Sequence, residues 1–148
     1  MRVELRLLFA TNVGINIIRK ESEGGGVNRG YFGIGIYSPK TVKNVGTLWR
    51  SALNFGASYI FTIGHRYKEQ PCDTTKTHRH IPLFTFDSLK EFEKSVDQQC
   101  EIVCIEQTEN SFELSHFILP LSCVYLLGAE DCGIPKELTN HHRTLHRL

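Results

Sequence analysis

The 148-residue sequence lacks any hydrophobic run near the roughly 18 residues that a membrane-spanning helix requires, so we expect no membrane segment. Residues 1–16 contain a short apolar stretch without a persuasive small-residue cleavage site, which argues against a signal peptide. Charged residues make up 22% and aromatic residues 10% of the chain, a composition that excludes a disordered or collagen-like protein. The length suits one domain, because two would each be too short to bury a sizeable core.

The cysteines form an odd set without a Cys-x-x-Cys pair, and buried, reduced thiols explain this best. Reduced thiols are typical of a cytosolic protein, so we expect a cytoplasmic location. The five residues are Cys72, Cys100, Cys104, Cys123 and Cys132.

Histidine pairs at metal-like spacing occur twice, at His78 and His80 and at His142 and His146. Neither pair has a third ligand at a credible spacing, and both lie in polar segments. We therefore expect solvent-exposed histidines and no metal site.

The formal net charge of +1 argues, at face value, against a nucleic-acid partner. Charge is unevenly distributed, however. Residues 29–80 carry eight basic and two acidic residues, a net charge of +6, whereas residues 81–137 carry three basic and eleven acidic residues, a net charge of −8. Such asymmetry indicates an anionic partner, although ordinary solvated faces would produce the same counts.

The first segment ends in three glycines at residues 24–26, which are typical of a flexible linker. We predict that residues 1–26 are an extension outside the core and that residues 27–148 form the domain. Within it, strands are expected at residues 33–37, 57–63, 101–106 and 123–127, with helices at 42–54 and 88–96. Residues 65–83 are predicted to be a long loop, and residues 112–119 a short helix or an irregular segment.

Strands that alternate with helices predict an α/β fold with a mainly parallel sheet flanked by helices. Ligands of such sheets bind beyond the carboxyl ends of the strands. This directs attention to the loops that follow Tyr37, Ile63, Glu106 and Leu127.

The loop after Leu127 carries glycines at the spacing G-x-x-x-x-G, but Ile134 and Pro135 replace the Lys-Ser/Thr of a phosphate-binding loop. Gly128 would let a backbone run close against a flat ligand, and Glu130 next to Asp131 would repel phosphate. A neutral or cationic ligand suits this loop. A purely structural strand-to-helix turn is about as compatible with the loop alone.

The stretch from Asn44 to Arg50 is the second notable motif. Asn44 could cap the helix, and Gly46 costs about 1 kcal/mol of helix propensity unless something approaches it closely. We expect the helical spacing to bring Arg50 back to nearly the same side as Asn44. An arginine near a strand end could hold a phosphate or carboxylate, although a surface arginine is the commoner explanation.

Together the two motifs, Asn44-x-Gly46-x-x-x-Arg50 and Leu127-Gly128-Ala129-Glu130-Asp131-x-Gly133-Ile134-Pro135, resemble those of the TrmH-like SPOUT ribose methyltransferases. The resemblance runs from about residue 29 to residue 138. It implies an α/β-knot fold and a homodimer. It also implies methyl transfer from S-adenosylmethionine to a ribose 2′-hydroxyl of RNA, with tRNA as the expected substrate and no membrane or metal partner.

The resemblance also assigns residues to roles. Arg50 would act at the reacting ribose and its phosphate, and Asn44 and Glu130 would shape that pocket. The cofactor would bind where the last strands end, at Ile105, Glu106, Leu127, Gly128 and Ile134. A sulfonium methyl donor is compatible with nearby Glu106 and Glu130. RNA contacts are expected at basic residues before and within the polar loop, although a solvated loop is equally compatible with them; these residues are Arg29, Arg66, Lys68, Lys76 and Arg79.

Members of this family carry a third motif, a serine-leucine-asparagine-valine stretch that ties the knot, completes the cofactor pocket and builds much of the dimer interface. Residues 138–148 contain nothing that matches it. The knot could therefore be incomplete. An alternative is a catalytically impaired SPOUT-fold module that binds RNA or dimerises, and a weaker one is an unrelated α/β ligand-binding domain.

Overall fold

A seven-stranded sheet with helices on both faces forms the core of the computed structural model, which describes residues 31–64, 80–129 and 131–146. The strands are β1 Tyr31–Tyr37, β2 Tyr59–Ile63, β3 Leu83–Phe86, β4 Glu101–Ile105, β5 Phe112–Glu113, β6 Ser122–Leu127 and β7 Arg143–His146. The helices are α1 Val42–Phe55, α2 Leu89–Ser95 and α3 Lys136–His141, with a 3-10 helix at Leu114–His116.

The strand order is β3-β2-β1-β6-β4-β7-β5, and every neighbouring pair is parallel. The predicted α/β fold with a parallel sheet is therefore confirmed. The predicted extension, residues 1–26, lies outside the described residues. No helix in the described ranges is long and apolar enough to cross a membrane.

Helix α1 forms as its apolar stripe predicts, with Val45, Leu48 and Ala52 buried against the sheet. It ends at Gly56, whose positive φ of 74° suits a left-handed C-cap. The prediction that Asn44 caps the helix is wrong. Thr41 occupies the N-cap position, without a side-chain cap bond, and Asn44 lies inside the first turn.

The two faces of the sheet carry separate hydrophobic clusters. Ile36 and the buried side of α1 share one cluster, whereas Phe61, Phe92 of α2 and Leu138 of α3 share the other. The absence of a side chain at Gly35 makes room for Phe61, because a Cβ at residue 35 would lie 2.4 Å from that ring. Phe61 then stacks on Phe92 with ring centroids 4.6 Å apart. Helix α1 thus covers one face, and α2 and α3 cover the other.

Three strands, β3, β5 and β7, were not expected from the sequence. Strand β7 lies between β4 and β5, and Leu145 is in register with both Ile105 and Phe112. Residues 106–111 therefore cross from one side of β7 to the other. The four residues of β7 contain one large apolar side chain, so pairing on both edges, rather than a hydrophobic pattern, accounts for this strand. The knot itself stays a prediction.

Candidate functional site at the carboxyl edge of the sheet

The carboxyl ends of β1 and β6 lie side by side, with Ile36 opposite Leu127. From there the β1 loop, residues 38–41, leads to α1 on one face, whereas the β6 loop, residues 128–135, leads to α3 on the other. Ligands of open α/β sheets bind in the crevice where neighbouring connections diverge in this way. We take this crevice as the candidate site.

A direct contact joins the two loops. The Lys40 Nζ atom lies 3.8 Å from Asp131 Oδ2, with both side chains more than a third exposed. An exposed ion pair of this kind adds little stability, but it shows that the β1 loop, which precedes the Asn44–Arg50 motif, meets the β6 loop that carries the second motif. The turn that starts the β1 loop is tight, because Ser38 has a φ of 46° and donates its N–H to the Ile63 carbonyl at 2.7 Å.

The β6 loop folds back on itself. The Gly133 N–H donates to the Ala129 carbonyl at 3.0 Å, and a Cβ on Gly128 would lie 2.6 Å from the Gly133 carbonyl carbon. The sequence indicated a flat ligand against Gly128. The structure instead places the backbone of the same loop there, which explains why glycine is required at this position.

Glu106 connects the β4 loop, residues 106–111, to the β6 loop. Its Oε2 atom accepts a hydrogen bond from the Ile134 N–H at 3.0 Å, and its Oε1 atom accepts one from the Gln107 N–H at 3.2 Å. Gly133, with a φ of 62°, leaves room for this carboxylate, because a Cβ there would lie 2.7 Å from Oε2.

The residues expected to hold a cofactor are close together in the structure. Ile105 and Leu127 are register partners at the ends of β4 and β6. Glu106 bonds to Ile134, and Gly128 packs against the Ile134 backbone. Leu127 and Ile134 are buried, whereas Ile105, Glu106 and Gly128 are half-buried. Whether these residues contact a cofactor stays a prediction.

Of the residues expected at the ribose, Asn44 is half-buried and Arg50 is exposed on α1. The expectation that they share a side of the helix is wrong, since six residues of α-helix leave two side chains about 120° apart. Within the described ranges, the Arg50 guanidinium forms no hydrogen bond or ion pair. The remaining predicted site residues lie outside the described residues; these are Glu130, Arg29, Arg66, Lys68, Lys76 and Arg79.

A cavity of about 640 Å³ lies between the β4 loop and α3, beside the crevice. The sequence directed attention to the loop after Glu106, which supplies four of the lining residues, because it follows the end of a buried strand. It did not name any of the lining residues as site residues. The lining consists of Gln107, Thr108, Glu109, Asn110, Lys136, Thr139 and Asn140.

The predicted buried cysteines and exposed histidines are only partly confirmed. Cys100, Cys104 and Cys123 are buried, but Cys132 in the β6 loop is exposed. His142 is partly buried, with Nε2 lying 3.4 Å from Glu93 Oε1. Among the described residues no group of three potential metal ligands was found.

The SpoU rRNA methylase family model matches residues 32–148, so the chain belongs to this family. A comparison with curated protein sequences found no match. Membership confirms the class that the two motifs indicated, a SPOUT-class, TrmH-like RNA methyltransferase.

Solved structures support the same fold. A protein studied for the 2-OH methylation of C/U34 on tRNA aligns with a TM-score of 0.70 at 18% identity, over 81% of each chain. AviRb, a SpoU methyltransferase from Streptomyces viridochromogenes in complex with AdoMet, aligns with a TM-score of 0.70 at 18% identity, over 80% of this chain and 48% of AviRb. A TrmH-family protein from Porphyromonas gingivalis aligns with a TM-score of 0.64 at 17% identity, over 86% of this chain and 53% of that protein.

Proposed function

We propose that the chain transfers a methyl group from S-adenosylmethionine to a ribose 2′-hydroxyl of RNA. The observation that carries this proposal is that the β1 loop, which leads into the first family motif, meets the second family motif at the crevice between β1 and β6, where Lys40 approaches Asp131 at 3.8 Å. The AdoMet complex of AviRb, which shares the fold, supports the choice of cofactor.

The residues present suit this cofactor. Half-buried Ile105, at the end of β4, offers apolar surface of the kind that an adenine ring requires. The Asp131 carboxylate at the crevice suits a cationic group. The cavity between the β4 loop and α3, of about 640 Å³, falls within the range of about 300–1,000 Å³ typical of small-molecule sites, but none of the five predicted cofactor residues lines it. When bound, S-adenosylmethionine supplies a methyl group on a cationic sulfur.

The task left to the protein is to align the ribose hydroxyl with that methyl group and to assist loss of the hydroxyl proton. We assign the first part to Arg50, whose exposed guanidinium can bind the neighbouring phosphate through two N–H groups. Asn44 and Glu130 complete the ribose pocket in this proposal.

We propose tRNA as the substrate, because one of the similar solved structures comes from work on the methylation of tRNA. The alignment with that structure covers 81% of each chain. The basic loop, with Arg66, Lys68, Lys76 and Arg79, and Arg29 would contact its backbone. A homodimer in the cytoplasm is the proposed working form.

Calorimetric titration of the full chain with S-adenosylhomocysteine tests the proposed cofactor site. Binding at roughly micromolar dissociation constant is expected if the pocket is complete. A folded chain that shows no binding at millimolar ligand would contradict the enzyme and favour the alternative, a SPOUT-fold module that binds RNA or dimerises without catalysis.

A further inference from the structure

We propose that Glu106 is a positioning residue, which holds the β6 loop in its folded-back conformation and does not attract the methyl donor by its charge. The sequence suggested the opposite role, a carboxylate that favours a sulfonium ligand. The structure shows both carboxylate oxygens accepting backbone hydrogen bonds, one from Ile134 at 3.0 Å and one from Gln107 at 3.2 Å. Such charge-assisted bonds are among the stronger ones in proteins.

The bond to Ile134 depends on the glycines of the loop. A side chain at Gly133 would lie 2.7 Å from Glu106 Oε2, and one at Gly128 would lie 2.6 Å from the Gly133 backbone. The two glycines therefore make room for different groups. The space beside Gly133 is occupied by the Glu106 carboxylate, and the space beside Gly128 is occupied by the backbone of the same loop. The motif spacing of these glycines is explained by the loop closing on Glu106.

Other described polar contacts of the loop are weaker. The Gly133 N–H bonds to the Ala129 carbonyl inside the loop, and Lys40 reaches Asp131 only as an exposed pair at 3.8 Å. Glu106 directly follows a different strand, β4, and lies 28 residues before Ile134, so it ties the β6 loop to the end of that strand. A loop that is already ordered binds its ligand more tightly, because less of the population must rearrange.

Two ligands that differ in charge separate the two roles. This part of the inference rests on the proposed function, since both ligands belong to it. S-adenosylmethionine carries a sulfonium cation, whereas S-adenosylhomocysteine has a neutral thioether in its place. A residue that acts by its charge discriminates between them, whereas a residue that holds the loop affects both equally.

The experiment is calorimetric titration of the wild-type chain, Glu106→Ala, Glu106→Gln and the control Glu137→Gln with each ligand. Glu137 is exposed in the first turn of α3, so its variant removes the same charge close to the loop. We expect Glu106→Ala to weaken both ligands by the same factor, at least about tenfold. Glu106→Gln retains one acceptor oxygen and should weaken both by a smaller, equal factor. Preferential loss of S-adenosylmethionine binding in Glu106→Gln, or no loss in Glu106→Ala, would overturn the proposal.

If the wild-type chain binds neither compound, that result counts against the proposed function alone. The positioning role of Glu106 is then tested by amide hydrogen exchange without ligand. Faster exchange at Ile134 and Gln107 in Glu106→Gln, with unchanged exchange in Glu137→Gln, is expected. Unchanged exchange in Glu106→Gln would overturn the positioning role. Because Glu106→Gln is nearly isosteric, it keeps this test available if Glu106→Ala does not fold.

Discussion

Gly46 is the fifth residue of α1, a position inside the helix where glycine costs about 1 kcal/mol relative to alanine. Its packing gives no reason for the residue, because a Cβ there would meet no described atom within 4 Å. Gly46 lies four residues before Arg50 and so shares its side of the helix. A glycine with open space beside an exposed arginine fits a surface that a substrate backbone approaches closely.

Replacing Gly46 with alanine should therefore separate stability from activity. The free energy of unfolding is expected to rise by about 1 kcal/mol, because helix propensity improves without a clash. Methyl transfer is expected to fall at least tenfold, as the added methyl group meets the RNA. Urea unfolding and a methylation assay measure the two effects. Asn54→Ala, about 12 Å further along the helix, is the control and should leave activity unchanged; equal activity in Gly46→Ala would contradict this role.

Because of its buried thiols, we expect this protein to lose stability at alkaline pH. Burial raises the pKa of Cys104 to about 12 from an ordinary value of 9.0, with the negative charge of Glu106 as a second cause. Burial likewise raises the pKa of Cys123 to about 11. The unfolded chain releases these protons at lower pH than the folded one. The resulting stability is present below about pH 9 and is lost as the pH rises toward the folded values.

The free energy of unfolding should accordingly fall between pH 8 and pH 10, by roughly 1 kcal/mol for each such thiol. Urea denaturation at the two pH values measures the decrease. Cys104→Ala should make the decrease smaller, whereas Cys132→Ser, at an exposed site, should not. The same decrease in Cys104→Ala as in the wild-type chain would show that another group is responsible.

At the scale of the elements, the sequence was informative where burial imposes a pattern. It predicted the four central strands and helices α1 and α2, because their apolar residues recur at strand or helix spacing. Ser88 caps α2, its Oγ atom accepting from the Glu91 N–H at 3.3 Å. It did not predict β7, which owes its place to pairing with β4 and β5. The hydrogen bond between Glu106 and Ile134 could not be predicted from the sequence either, because it joins residues that are 28 positions apart.

Arg143 adds side-chain contacts to the backbone pairing of β7. Its Nη1 atom donates to Glu101 Oε1 at 2.9 Å and its Nη2 atom donates to the Ile118 carbonyl at 3.2 Å. The guanidinium carbon lies 4.1 Å from the centre of the Phe117 ring, as in a cation–π contact. These contacts require a planar group whose donors point in different directions within one plane. The guanidinium of arginine is such a group, whereas the ammonium of lysine is not.

Arg143→Lys should thus destabilise the fold although it keeps the charge. We expect a loss of about 1 kcal/mol in the free energy of unfolding, and a larger loss in Arg143→Ala. Urea denaturation provides the measurement. Lys90→Ala, at an exposed position of α2, is the control for a lost positive charge. Equal stability of Arg143→Lys and the wild-type chain would show that only the exposed ion pair matters.

For the whole molecule, strand order brings the β1 loop and the β6 loop together at the candidate site. Strands β1 and β2 with α1 come from the basic residues 29–80, whereas β4 and β6 come from the acidic residues 81–137. The two parts meet where β1 pairs with β6, and Lys40 contacts Asp131 across that boundary. An anionic RNA suits the first part and a cationic methyl donor suits the second.

Methyl transfer to RNA tests the central claim most directly. The full chain is incubated with labelled S-adenosylmethionine and either tRNA or rRNA, and digested nucleosides are identified by mass spectrometry. We expect a 2′-O-methylated nucleoside from tRNA. Arg50→Ala should abolish it while keeping cofactor binding, and Lys43→Ala, an exposed cation on the same helix, should not. A base-methylated product, transfer to rRNA alone, or full activity in Arg50→Ala would each contradict a specific part of the account, and a chain that binds the cofactor but methylates neither RNA would contradict the whole.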